Sequence, residues 1–240
     1  MFTTLLVLFT SPWLFRAWLE KPVLAILIIL SSLTLYQAII KGEIKKILTF
    51  GVCLVLLLFA QYMTTKIEPL NYLDNDEQRI QAMRLREYPP IFIKFGDKTL
   101  WIPLAHWFEE RKETISLTKI QKNLGEFLDI NLYFYGNYPR GRVNIKEIEK
   151  LPYIYLPPFL TGAVALIRQK KSLKISLFAF LLPLLLTSLF GHDNPLGPFS
   201  VFPFIATITA FGISLIKNKK VSILYLIAAF FVIIQTFSYV

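Results

Sequence analysis

The chain holds one cysteine, Cys53, and two histidines, His106 and His192, among its 240 residues. A lone cysteine excludes a disulfide framework and a thiolate metal site within one chain. Two histidines far apart in sequence argue against a zinc or iron centre, so no cofactor is expected. Ionisable side chains are also missing from the long apolar stretches, which contain no internal Asp, Glu, Lys, Arg or His. Ion-coupled transporters use such groups within the membrane, and their absence weighs against that class. Gln37, Gln61 and Gln235 are the strongest polar groups there, and they suit contacts between helices. The sequence has no internal repeat and no low-complexity tract.

Apolar residues are abundant, at 55% of the chain, an excess that soluble domains rarely carry. A spanning helix needs about 20 mostly apolar residues. Val23–Ile40, Ile47–Thr64, Tyr153–Ile167, Ile175–Phe190, Phe199–Ile216 and Val221–Tyr239 meet or approach that length. Tyr153–Ile167 is short and calls for a thin or locally deformed bilayer. Phe2–Phe15 is a seventh apolar stretch, broken by Ser11-Pro12. It reads as a half-span, an interfacial helix or a full crossing. No basic residue precedes it and no small-residue cleavage site follows, which argues against a signal peptide.

The net charge of +10 would suggest a nucleic-acid partner in a soluble protein. Its distribution points elsewhere. Lys41, Lys45 and Lys46 with Glu43, then Arg168, Lys170, Lys171 and Lys174, then Lys217, Lys219 and Lys220 occupy three short loops. Lysine and arginine clustered in short loops mark the cytoplasmic side, and even numbers of crossings separate these three. The layout is an all-α, polytopic helical bundle of six spans, or seven if Phe2–Phe15 crosses. Residues 1–64 form an N-terminal membrane segment, 65–152 a small α-rich extracytoplasmic domain, and 153–240 a C-terminal membrane segment of four spans. The expected setting is a prokaryotic plasma membrane, with the bilayer as partner and no nucleic acid.

In the outer segment, Asp74-Asn75-Asp76-Glu77 opens a polar helix that Pro89-Pro90 must end. Ile91-Phe92-Ile93 is a short extended or buried piece. Trp101–Glu113 reads as a helix with Trp101, Leu104, Trp107 and Phe108 on one side. Ser116–Ile130 is amphipathic, with Leu117, Ile120, Leu124, Phe127 and Leu128 on one face and Lys119, Lys122 and Glu126 opposite.

Three constellations carry possible chemistry, each beside a plainer account. Asp74 and Asp76 have the spacing of an acidic pair that holds a divalent cation against a diphosphate. Asp74 with Glu77 equally makes a capping box, which needs no metal. Tyr135, Tyr138, Arg140 and Arg142 lie in an aromatic and arginine-rich stretch. There the arginines could grip a phosphate while the tyrosines stack on a sugar. Alternatively, the tyrosines belong to the headgroup belt and the arginines pair with lipid phosphate, Glu147 or Glu149. His192 and Asp193 suit acid–base chemistry, but Gly191, Asn194, Pro195 and Gly197 around them are also what a tight turn requires.

From about Ser116 to Lys220 the chain resembles the C-terminal part of GT-C membrane glycosyltransferases of the protein-mannosyltransferase-like group. The residues that carry the likeness begin with the run from Asn123 to Phe134 before a Tyr- and Arg-rich loop. Leu156-Pro157-Pro158-Phe159-Leu160-Thr161-Gly162 then opens a span. A basic loop, Leu182-Pro183-Leu184-Leu185-Leu186-Thr187-Ser188, an outer His-Asp-Asn-Pro loop and Phe202-Pro203-Phe204-Ile205-Ala206 leading to Gly212 complete it. The likeness covers under half the chain. It implies transfer of sugar from a polyprenyl-phosphate donor on the outer face. That family's catalytic carboxylate lies in the first outer loop of a longer protein, and this chain is short of those spans. Asp74 and Asp76 match no clear family context there.

The leading expectation is therefore a non-catalytic or split relative. It would bind a lipid-linked glycan or a partner subunit on its outer face. A complete small lipid-linked sugar transferase, with Asp74 or Asp76 as base or metal ligand, is the enzymatic alternative. A structural or assembly protein of an envelope complex is the third. The lysine loops generate a direct test of topology. Cysteines placed at Lys171 and Lys219 are expected to resist an impermeant thiol reagent in intact cells, while one at Glu126 reacts. Labelling at position 171 from outside would sink the layout.

Overall fold

The structure is a computed structural model that describes residues 1–67, 69–88, 90–103, 110–135, 150–191, 194 and 196–216, with most residues between 223 and 234. The described chain is mostly helical. Helices α1 (Phe2–Phe9) and α2 (Pro12–Glu20) meet at a bend of 74°. The break has a local cause. Pro12 occupies the first turn, where a missing N–H costs nothing, and the Ser11 hydroxyl accepts from Leu14 N at 3.1 Å. The stretch 2–15 is thus two helices at an angle rather than one rod.

Helices α3 (Pro22–Lys41) and α4 (Ile44–Thr64) are long and apolar enough to cross a membrane. Gly42, at φ +64°, turns the chain between them in a left-handed conformation that glycine adopts without steric cost. Along α4, Leu48, Val52, Val55, Phe59 and Met63 recur at helical spacing and all are exposed. An apolar stripe this long would aggregate in water, but it matches lipid.

The described residues of the polar segment 65–152 form α5 (Asn75–Glu87), the antiparallel strands β1 (Ile91–Phe95) and β2 (Lys98–Ile102), α6 (Lys112–Leu128) and the single turn α7 (Asn131–Phe134). The helix expected over Trp101–Glu113 is corrected here. Trp101 and Ile102 belong to β2, and among the described residues of that range only Lys112 and Glu113 are helical, at the start of α6. Leu104, Trp107 and Phe108 lie outside the described residues. The reason is the two-residue turn Gly96-Asp97, with Gly96 at φ +59°. It folds Lys98-Thr99-Leu100-Trp101 back onto Ile91–Phe95, where aromatic and β-branched residues favour strand pairing. The predicted extended piece 91–93 is β1, but its residues are exposed. The amphipathic helix appears as α6, with Phe127 buried, Ile120 and Leu124 half-buried, and Leu117 and Leu128 exposed.

In the C-terminal part, a 3-10 turn (Tyr153–Tyr155) leads into α8 (Leu156–Arg168). Helix α9 (Lys170–Phe190) is the third helix of spanning length, and α10 (Phe202–Ser214) is short. The described residues between 223 and 234 are helical. Thirteen residues rise about 20 Å, less than the ~30 Å hydrocarbon core, so α8 and α10 do not span it alone. Helix α10 is the hub. Phe202, Ile205, Ala206, Ile208, Ala210 and Phe211 are all buried.

Two hydrogen-bonded junctions define the ends of the bundle. Ser172 Oγ donates to Ile39 O at 3.0 Å, so the loops at 41–46 and 168–174 share one end. Gln61 and Thr65, at the far end of α4, meet the 194–200 loop. The third lysine cluster, 217–220, lies outside the described residues.

Helices α8 and α10 touch through glycine. A Cβ on Gly212 would collide with the backbone carbonyl of Pro158, and one on Gly162 with that of Ile208. Small residues let membrane helices approach this closely. Gly51 in α4 has open space instead. Gly212→Ala is expected to cost at least about 1–3 kcal/mol, the scale of overpacking, and to lower the melting temperature in detergent. Gly51→Ala is expected to leave it unchanged or slightly raised. Equal melting of both variants would refute the close contact.

Candidate functional site

The polar end of the bundle, away from the lysine loops at 41–46 and 168–174, is where helices break and buried polar groups collect. Three irregular pieces of backbone converge there: the Thr10-Ser11 break, the approach to α8 at 150–155, and the 194–201 loop before α10. Main-chain groups freed by these breaks need partners, because lipid offers none. Side chains supply them. Ser11 Oγ donates to Lys150 O while accepting from Leu14 N. Trp13 Nε1 donates to Leu196 O at 2.9 Å, and its ring packs on Phe202 with centroids 4.7 Å apart. Gln61 Nε2 donates to Gly197 O at 3.1 Å, and its Oε1 accepts from Ser200 N at 3.0 Å. The Thr10 and Tyr155 hydroxyls are 2.7 Å apart.

At the centre is Lys150, only 4% exposed. Its Nζ donates to Leu132 O at 3.2 Å and stands 5.5 Å from the Tyr133 ring centroid and 5.9 Å from that of Trp13. Aromatic faces attract a cation electrostatically, most strongly when water is excluded. Gly197, at φ +64°, leaves room for the ammonium, since a Cβ there would sit 3.4 Å from Nζ. Tyr133 is buried, and its hydroxyl donates to Phe127 O at 3.0 Å. Burial pushes that phenol's pKa upward, so it stays protonated. Leu151 N donates to Tyr133 O at 2.8 Å, which ties the two ends of the 136–149 segment together.

The expected site residues fall as follows. Asp74 caps α5: its Oδ1 accepts from Glu77 N at 2.7 Å, and Glu77 Oε2 accepts from Asp74 N at 3.2 Å. Both halves of the capping box are present, and Asp76 is exposed in the first turn. No group of three His, Cys, Asp or Glu side chains gathers among the described residues. Glu77 also pairs with Lys122 of α6 at 2.8 Å. Burial acts to lower the Lys122 pKa. The hydrogen bond and charge of Glu77, with Glu126 and Asp74 behind it, outweigh burial and raise it above the ordinary lysine value. Tyr135 is exposed at the end of α7, two residues past buried Tyr133. Tyr138, Arg140, Arg142, His192 and Asp193 lie outside the described residues. Asn194 beside them makes a side-chain turn, with its Oδ1 accepting from Leu196 N at 3.0 Å. Among the described residues at and just after this turn, Asn194, Leu196, Phe199 and Ser200 are buried.

Lys150 escaped sequence reasoning because it ends a mixed run, Lys146 to Lys150, that reads as a solvated face. In sequence, Trp13 and Ser11 are simply part of a broken apolar stretch. No family model matches the chain, and no curated protein or solved structure matches it either.

Gln61 gives the cluster a stability test. Gln61→Leu leaves Gly197 O and Ser200 N buried without their partner, at roughly 1–3 kcal/mol each. Denaturation of the purified protein in detergent is expected to show a loss of about 2 kcal/mol or more. Gln37→Leu, whose amide reaches only the Met1 sulfur, is expected to change stability by less than about 0.5 kcal/mol.

Proposed function

We propose that this integral membrane protein receives a polyprenyl-phosphate-linked glycan at the polar end of its bundle. On this reading it is a non-catalytic or split relative of polyprenyl-phosphate-dependent sugar transferases. The lysine loops face the cytoplasm of a prokaryotic cell, and 65–152 lies outside. The six apolar stretches supply the crossings, with α8 and α10 shorter than the hydrocarbon core and starting among the buried polar groups of that end. Discontinuous helices of this kind place their ends at ligand-binding depth in many membrane proteins.

One observation carries the reading. The segment with Arg140 and Arg142 is anchored at both feet beside Lys150, through Leu151 N to Tyr133 O and Lys150 Nζ to Leu132 O. Arg140 is five residues from Tyr135, a reach of at most about 18 Å of chain. Arg140 and Arg142 belong to this tethered segment by sequence, and two arginines on one short segment supply the donors an anion takes. Arginine adds paired hydrogen bonds to phosphate that lysine cannot reproduce.

The test uses the purified full chain in nanodiscs titrated with a short-chain polyprenyl phosphate. Arg140→Lys is expected to weaken binding nearly as much as Arg140→Ala. Equal binding by wild type and both variants would remove the ligand site and leave scaffolding as the better account. The protein alone is expected to transfer no sugar from a polyprenyl-phosphate donor. Turnover abolished by Asp74→Ala or Asp76→Ala would overturn the non-catalytic reading.

A further inference from the structure

The hairpin β1–β2 buries none of its residues. Ile91, Phe92, Phe95, Leu100 and Trp101 are between 49% and 68% exposed, although all are large and apolar. Strand geometry sorts them. Residues alternate between faces, and the register pairs Ile91 with Ile102, Ile93 with Leu100 and Phe95 with Lys98. One face is therefore Ile91, Ile93, Phe95, Leu100 and Ile102, with only Lys98 at its tip. The other face is Phe92, Lys94, Thr99 and Trp101. A two-stranded hairpin standing alone in water is marginal, so an aliphatic face of this kind needs a cover.

We infer that the hairpin lies in the outer interface of the bilayer that holds the bundle, with its aliphatic face toward the acyl chains. Three observations select lipid over other covers. The segment that carries the hairpin returns to the bundle at the polar end on both sides: Thr65 bonds Asn194, and Lys150 lies at the Trp13 cluster. Both ends of the segment that carries the hairpin are thus fixed at the polar end of the bundle. Its second face carries Trp101 and Lys94 beside Phe92 and Thr99, and tryptophan is the residue of the headgroup belt, where its ring N–H reaches polar groups. Lys94 and Lys98 flank the apolar residues and are exposed, which complements anionic headgroups.

Geometry limits how deep the hairpin goes. Each strand has one unpaired edge of N–H and C=O groups, which hydrocarbon cannot solvate. The hairpin therefore lies flat at the boundary of headgroups and acyl chains, as interfacial amphipathic elements do, rather than crossing. The inference rests on the bundle being in a membrane and does not depend on any ligand at Lys150.

The experiment labels single cysteines in the full chain, in a Cys53→Ser background, with an environment-sensitive dye. Leu100→Cys reports the aliphatic face and Thr99→Cys the other. Both sites are exposed, so folding is not at stake, and each variant's melting is checked against the parent. Nanodiscs contain phosphatidylcholine alone or with phosphatidylglycerol, at one protein per disc. The dye at position 100 is expected to shift to the blue and lose most of its emission to lipid-attached nitroxide. The dye at position 99 is expected to be quenched by aqueous iodide instead, with the contrast stronger in the anionic discs. Iodide quenching at both positions would overturn the inference. So would a blue shift at position 100 without nitroxide quenching, since that outcome means another part of the chain or a second copy covers the face.

Discussion

Main-chain groups released where helices break control this structure. A continuous helix satisfies its own backbone, but the breaks at Ser11, 150–155 and 194–201 leave carbonyls and amides that hydrocarbon cannot solvate. Ser11, Trp13 and Gln61 each answer one or two of them, and Lys150 answers Leu132 O in the neighbouring turn. The helices fix where those side chains stand, and the side chains fix where the loops run. The arrangement is mutual, so loss of one donor exposes a fault on another segment. This explains why residues far apart in sequence form a single buried layer at one end.

The glycine contact between α8 and α10 belongs to the same logic. Helices of about 20 Å bury too little side chain against one another to be positioned by bulk packing alone. Backbone approach at Gly162 and Gly212 gives them a close contact instead. That contact sets the start of α10 beside Trp13 and the start of α8 beside Thr10, through the Trp13–Phe202 stacking and the Thr10–Tyr155 hydroxyl pair. The small hydroxyl side chains inside the bundle serve a related purpose. Thr207 Oγ1 donates to Ser32 O at 3.1 Å and links α10 to α3 without demanding space.

Parts of the fold were legible in sequence for plain reasons. Spanning helices α3, α4 and α9 announce themselves because lipid requires a continuous apolar run. The Asp74–Glu77 capping box was legible because its partners lie three residues apart, as was the face of α6 through Phe127. The hairpin was not legible, because Trp101, Leu104, Trp107 and Phe108 also satisfy a helical period. The Gly96-Asp97 turn decided the matter locally. The site was hidden for a different reason. Lys150 draws its surroundings from Trp13, Tyr133 and Gly197, which lie on three separate segments, and no local pattern reports that. Gln61 was read as a helix contact and instead holds a loop, since its partners Gly197 and Ser200 are more than 130 residues away in sequence.

Positive charge serves two different ends in this chain. Lys41, Arg168 and Lys174 are at one end of the bundle and stay in contact with water, where a cation orients a membrane protein at little cost. Lys150 is at the other end and is almost wholly enclosed. Taking an ammonium out of water is expensive, and a satisfied apolar side chain of similar size would often serve packing as well. Orientation alone therefore explains the first group and not Lys150. Support of the loop base explains part of it, through the bond to Leu132 O. The remainder is the attraction of the cation to the Tyr133 and Trp13 rings, whose centroids lie 5.5 Å and 5.9 Å from Nζ. Lys150 therefore ties together three separate parts of the chain, the Leu132–Tyr133 turn, the Trp13 ring and the Gly197 loop, at one enclosed point.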